Sequence, residues 1–293
     1  MTAAASSGPA RLPGTGLSYL RALLARRPVL VPDGAVVPRI EAARLGVRVR
    51  PQALDGYRRL CGFAPDEWLP LPYPHVLATG LHLGMLTSAA FPIRPLGLVH
   101  VTNRIVVRRR LRQDEALDLG CRLEGHRETD AGQEFELHTD AGAGGAAVWS
   151  EATRFIARRP GRRGRPSGPP PEGGPPDGAS RLEWSVAADT GRRYARVSGD
   201  YNPIHLFGVT ARWFGFPRAI VHGMWSVARV VAEVGPMVAG PPVSLEVRFR
   251  RPVFLPSRVV LRHWPAAGGR AFLLTEPGGR ECLSGTLAPL ARG

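Results

Sequence analysis

At 293 residues and 44% apolar side chains the chain can bury one large core or two ordinary ones, and it has no apolar run near the roughly 18 residues a membrane span needs. Its formal charge of +15 rests on 39 basic residues that are all arginine, beside 35 glycines and 29 prolines. That is the mark of GC-rich coding, and with the arginines scattered and no zinc-finger spacing or RNP-like aromatic motif it argues against a nucleic-acid partner, while a positive field would still attract a phosphorylated carrier.

In chain order, residues 1–35 read as an N-terminal extension, with an amphipathic segment at Leu17–Leu30 interrupted by Arg21, Arg26 and Arg27. Residues 36–158 form a first unit. It holds an apolar helix-like run opening at Tyr73-Pro74, then strand-like stretches at Val99–Val107, Ala116–Leu123, Glu134–His138 and Val148–Ala157. The Pro- and Gly-rich segment 159–180 suits neither helix nor strand and reads as a linker. Residues 181–293 form a second unit in the same order. A helix-like run begins near Phe216-Pro217 and extends through Val238, and strands follow. Val243, Leu245, Val247 and Phe249 alternate with Ser244, Glu246, Arg248 and Arg250, the period of a half-buried strand. Further strands are expected at Arg258–His263, Ala271–Thr275 and Glu281–Leu287. Helix followed by antiparallel strands, twice, predicts an α+β fold in two copies packed as a pseudo-dimer. The three cysteines, Cys61, Cys121 and Cys282, form no metal-ligand pattern and fit a reducing, cytoplasmic setting.

The second unit carries Ser198-Gly199-Asp200-Tyr201-Asn202-Pro203-Ile204-His205. Pro203 forces Asn202 out of helical geometry, so the segment is a turn feeding a short helix, with Asn202 as its N-cap. A turn can aim Asp200 and His205 into one cleft, where a carboxylate and an imidazole make a proton-transfer pair. An ordinary turn with a surface histidine is the alternative. What favours chemistry is the next element, Ile220-Val221-His222-Gly223-Met224: Gly223 at a helix start offers an unhindered N–H and the positive end of the helix dipole to a carbonyl gaining negative charge. Close packing of the helix on the sheet also suits Gly223. His75 and His82 lie in the apolar run of the first unit and read as core residues.

SGDYNPIH followed by AIVHGM resembles the signature of the MaoC-like, or (R)-specific enoyl-CoA hydratase, family, and EVRFRRPVFLPSRV is similar to its next strand pair. The resemblance spans about Ser185 to Leu290. It implies a hotdog fold, and for the whole chain a double hotdog, each copy a long helix wrapped by an antiparallel sheet. It implies hydration of trans-2-enoyl thioesters or the reverse dehydration of 3-hydroxyacyl thioesters. By that resemblance Asp200 and His205 match the acid/base pair, Asn202 its polar neighbour, Gly223 the carbonyl-binding amide with His222 beside it, and Phe249 a coenzyme contact. The first copy has Phe63 in place of the acid and no aligned histidine, so a single active site is expected, with His100 a candidate for coenzyme binding although the glycine that should follow it is absent. No metal or cofactor is implied beyond the coenzyme A or carrier phosphopantetheine of the substrate. The expected partners are that acyl thioester and a second copy of the chain in a homodimer, with neither nucleic acid nor a membrane span. A hotdog acyl-CoA thioesterase and a non-catalytic acyl-thioester-binding subunit are the competing readings. Which of Asp200 and His205 holds which proton stays open, and the pair can titrate as a unit.

Overall fold

In a computed structural model the described residues are 27–159, 174–266 and 268–290. The strands are β1 (Ile40–Val47), β2 (Val99–Val107), β3 (Leu117–Leu123), β4 (Arg127–Thr129), β5 (Gly132–Ala143), β6 (Ala146–Arg158), β7 (Ser180–Val186), β8 (Val243–Phe249), β9 (Ser257–Ala266), β10 (Gly269–Thr275) and β11 (Glu281–Pro289). The helices are α1 (Pro51–Cys61), α2 (Tyr73–Thr87), α3 (Thr190–Ser198), α4 (Gly208–Arg212) and α5 (Gly223–Val234). The amphipathic segment expected at 17–30 falls largely outside the described residues, and 27–30 are not helical. Most of the expected linker also lies outside them, and β7 opens on its last residue, Ser180.

The strands make one sheet in the order β1-β3-β5-β6-β2-β8-β11-β10-β9-β7, with β4 paired to β5. Read outward from the central β2–β8 pair, the two arms match element for element. One runs β2, β6, β5, β3, β1 and the other β8, β11, β10, β9, β7. The internal repeat inferred from residue order is therefore a repeat of topology. Helices α1 and α3 correspond too: each ends on a left-handed glycine, Gly62 at φ 81° and Gly199 at φ 77°, a conformation that excludes a side chain at little cost only for glycine.

The seam is an antiparallel ladder from Thr102↔Arg248 to Val107↔Val243, with the fully buried Ile105 and Leu245 opposite one another. One apolar core runs through both arms. α2 contributes Tyr73, Leu81 and Met85, and α5 contributes Met224, Val227, Val230 and Val234. Trp149 of β6 is fully buried and its indole N–H donates to the Leu71 carbonyl at 2.9 Å. Because β8 completes its hydrogen bonding only on β2, the segment from Leu182 onward, expressed alone, is expected to be poorly soluble or inactive through its exposed strand edge. Size-exclusion chromatography and an activity assay check this, and a soluble, fully active segment would contradict it.

Candidate active site

The Asp200–His205 motif is laid out by short-range hydrogen bonds. After the α3 cap at Gly199, Asp200 takes up a turn in which its backbone N–H donates to Ser198 Oγ at 3.2 Å and its Oδ1 accepts from the Asn202 N–H at 3.1 Å. The expected short helix is a 3₁₀ turn over Pro203–His205, capped by Asn202, whose side chain accepts from the Ile204 N–H at 3.4 Å. The turn is held from outside by Thr210, whose hydroxyl donates to the Pro203 carbonyl at 2.6 Å, and by the Ile220 N–H donating to the Ile204 carbonyl at 3.1 Å. Gly191, in the first turn of α3, lets that helix approach the motif: a Cβ there would sit 2.0 Å from the His205 carbonyl oxygen.

The side chains converge. Donor atoms of Asp200, His205 and His222 all lie within 4.8 Å of one another. The His205 and His222 rings stack at 3.7 Å between centroids, and Tyr194 packs on His222 at 4.8 Å. His205 Nδ1 donates to the Ile220 carbonyl at 2.9 Å, so in the neutral ring the lone pair sits on Nε2. His222 Nε2 donates to the Asp200 carbonyl at 2.9 Å and lies 3.8 Å from Asp200 Oδ2. The grouping is compact enough to hold a divalent cation, but each imidazole already commits one nitrogen to a carbonyl, which leaves one candidate ligand atom per ring.

Burial governs the protonation of these rings, because a charged imidazole loses its hydration there. It pushes His205 below its ordinary 6.5, against the opposing charge of Asp200. It pushes His222 down to about 3, with His205 adding to the effect. If His205 serves as the base, the shift keeps it neutral to a lower pH than a free imidazole. The acid limb of the pH profile of kcat/KM should lie below 6.5, activity falling only as His205 takes up its proton. An acid limb above 6.5 would show that a different group controls the reaction.

The residues expected from sequence line one cavity of about 500 Å³: Asp200, Asn202, His205, His222, Gly223, Phe249 and His100. Gly223 is the first residue of α5, with His222 as N-cap, so its N–H is among those with no acceptor within the helix. Phe249 closes over it, and a Cβ at Gly223 would meet the ring at 2.9 Å. His100 lies between Phe155 and Phe249, at 4.5 and 5.7 Å between centroids, and burial lowers it to about 4. Phe63 stacks on Tyr57 at 6.0 Å, in keeping with its replacing an acid in the first copy. The exposed Arg158 and Arg251 mark the open side of the cavity, which Arg250 also lines.

Sequence reasoning missed three contributors from the motif's own half, Gly191, Tyr194 and Ser198. It also read His75 as a core residue, and here the structure corrects it. His75 lines the same cavity and forms a buried ion pair with Glu151 at 2.9 Å. A larger open furrow of about 710 Å³ crosses the strands near Arg104, Glu136, Arg154 and Glu246, but it gathers ion-paired surface groups and none of the acid/base residues.

A family model described as the MaoC like domain matches residues 173–271. Over 255 residues the chain is 32% identical to 3-hydroxyacyl-thioester dehydratase X of Mycobacterium tuberculosis, covering 86% of this chain and 89% of the relative. The crystal structure of HtdX from that organism superposes with a TM-score of 0.75 at 28% identity, over 86% of this chain and 100% of that one. Another M. tuberculosis structure, described as a double hotdog fold, superposes with a TM-score of 0.52 at 11% identity, over 87% and 96% of the two chains, and bears on the fold alone. With the mirrored strand order, these likenesses make the fold a double hotdog. Among the described residues no helix is long and apolar enough to cross a membrane.

Proposed function

The chain belongs to the MaoC-like dehydratase family, and from that membership and the cavity around Asp200 and His205 we propose its reaction in detail. It is a hydro-lyase acting on acyl thioesters. In the hydration direction, water oxygen bonds to C3 of a trans-2-enoyl thioester, the C2–C3 π bond breaks, and a proton is delivered to C2 on the same face, giving the (R)-3-hydroxyacyl thioester. Dehydration is the reverse. Asp200 and His205 hold the water and exchange its protons, and the Gly223 N–H receives the thioester oxygen as it gains enolate character. The addition is redox-neutral, so it needs no redox cofactor. Arg158, Arg250 and Arg251 supply positive charge suited to the phosphates of coenzyme A or of a carrier phosphopantetheine. Buried free Cys61, Cys121 and Cys282 suit a reducing cytoplasm.

The observation that carries this reading is the fixed tautomer of His205: Nδ1 is spent on Ile220, which leaves Nε2 as the base in a cavity shared with Asp200. The competing thioesterase reading is separable by product. A panel of enoyl-CoA thioesters should lose enoyl absorbance without release of free thiol, and activity should survive exhaustive treatment with a chelator. Free thiol released in step with the loss of absorbance would favour hydrolysis, since hydrolysis also breaks the conjugated thioester, and loss of activity on chelation would assign the Asp200, His205 and His222 grouping to a metal.

A further inference from the structure

The acid/base reading leaves unused a buried ionic group on the wall of the cavity. Glu151 of β6 has a fully buried side chain, and both its oxygens lie at 2.9–3.0 Å from His75 Nδ1. Asn103 of β2 donates to the same carboxylate at 2.6 Å and to Thr153 Oγ1 at 2.9 Å. Three elements of the first copy thus converge on a carboxylate that burial alone would strongly disfavour. Pinning α2 to the sheet does not require it. Tyr73, Ala78, Leu81 and Met85 already pack that helix into the core, and an apolar pair would serve as well or better. The pair is also lopsided. Glu151 is sealed, whereas the His75 side chain keeps 13% of its surface open and lines the cavity that holds Asp200 and His205. With Nδ1 taken by Glu151, the ring donor left for the cavity is Nε2–H.

The polarity continues along α2. Thr79 and His82, one and two turns beyond His75, line the same wall, but the Thr79 hydroxyl donates to the His75 carbonyl at 3.3 Å and His82 Nε2 is bonded to Thr139 Oγ1 at 2.9 Å. An unadorned alkyl chain laid over the His75 Nε2–H strips its water without replacing the hydrogen bond. We propose that His75, through the Nε2–H left over from its bond to Glu151, is a specificity-determining donor that recognises an oxygen function, keto or hydroxyl, borne by the acyl chain several carbons beyond the reacting pair. This rests on the hydratase reading, since it takes the cavity to be the acyl-thioester site.

The three first-copy histidines that line the cavity differ in a way that singles out His75. Burial lowers His82 to about 3 and His100 to about 4. Burial pulls His75 the same way, but the charge of Glu151 and its hydrogen bond outweigh it and raise this imidazole above its ordinary value. His75 is thereby the one of the three that takes a second proton most readily, and a charge-assisted bond is the stronger kind.

The test uses the full chain and saturated acyl-CoA thioesters, which cannot react. Pairs of equal length, one plain and one with a single keto oxygen at successive carbons beyond the reacting pair, are compared by calorimetry. At one position, or two adjacent ones, the keto chain should bind roughly tenfold or more tighter, the scale of one hydrogen bond to a charged group. In His75→Phe combined with Glu151→Met, which replaces the pair without leaving a lone buried charge, that ratio should fall to about one. Glu151→Gln, which keeps the shape of the site, should lower the ratio in part. A flat profile in the unaltered protein, or a preference that persists in the double variant, overturns the proposal. Turnover of plain and keto-bearing enoyl-CoA by the unaltered protein separates the two readings. Turnover without keto preference sinks the His75 site alone, and keto preference without turnover sinks the hydratase reading alone.

Discussion

Asp200→Asn and His205→Gln are each expected to lower turnover by about a hundredfold to ten-thousandfold, the usual contribution of a general acid or base, with the fold retained. Both substitutions are nearly isosteric. Asn at position 200 can still accept the Asn202 N–H through its amide oxygen, so the turn survives while the negative charge is lost. Gln at position 205 removes the Nε2 base and the ring that stacks on His222. Because the two groups share one water and one proton inventory, the double variant should be scarcely worse than either single one. Steady-state rates on one enoyl-CoA, with circular dichroism to confirm folding, measure this. Near-normal turnover by either single variant would remove that residue from the acid/base role, and fully additive losses would argue that the two act in separate steps.

The pair was legible in sequence because its chemistry is local. Pro203 dictates the turn, Asn202 caps it, and both candidate side chains fall within six consecutive residues. Strands with one buried face were legible for the same kind of reason: Val243–Phe249 alternates as it reads. The strands that went unread are the two sheet edges and the three-residue β4. β1 is largely exposed, with small and charged residues in place of a repeating apolar face, and β7 opens inside the Pro- and Gly-rich stretch with most of its residues facing solvent. The His75–Glu151–Asn103 group could not be read from spacing, since its members come from a helix and two strands, His75 and Glu151 being 76 residues apart. A signal for half of it was present. Along β6 the inward positions run Trp149, Glu151, Thr153, Phe155, and a glutamate in that series had no apolar reason to be there.

Gly223→Val is expected to reduce turnover about a hundredfold to a thousandfold, the loss associated with one oxyanion-type donor, but the structure supplies two routes to that result. In one, the side chain crowds the thioester oxygen away from the N–H that begins α5. In the other, the new Cβ strikes Phe249, which already lies 2.9 Å from where it would be, and displaces the ring from the cavity wall. Activity per folded molecule, with the folded fraction read from circular dichroism, first removes any effect of stability alone. The background Phe249→Ala then separates the two routes, because it clears the space a Cβ at position 223 would need. If Gly223→Ala still costs most of its activity in that background, crowding at the N–H is the cause and the amide is the carbonyl receptor. If Phe249→Ala absorbs the loss, so that adding Gly223→Ala changes little, the glycine is there to seat Phe249, and the thioester oxygen must be bound by another donor in the cavity.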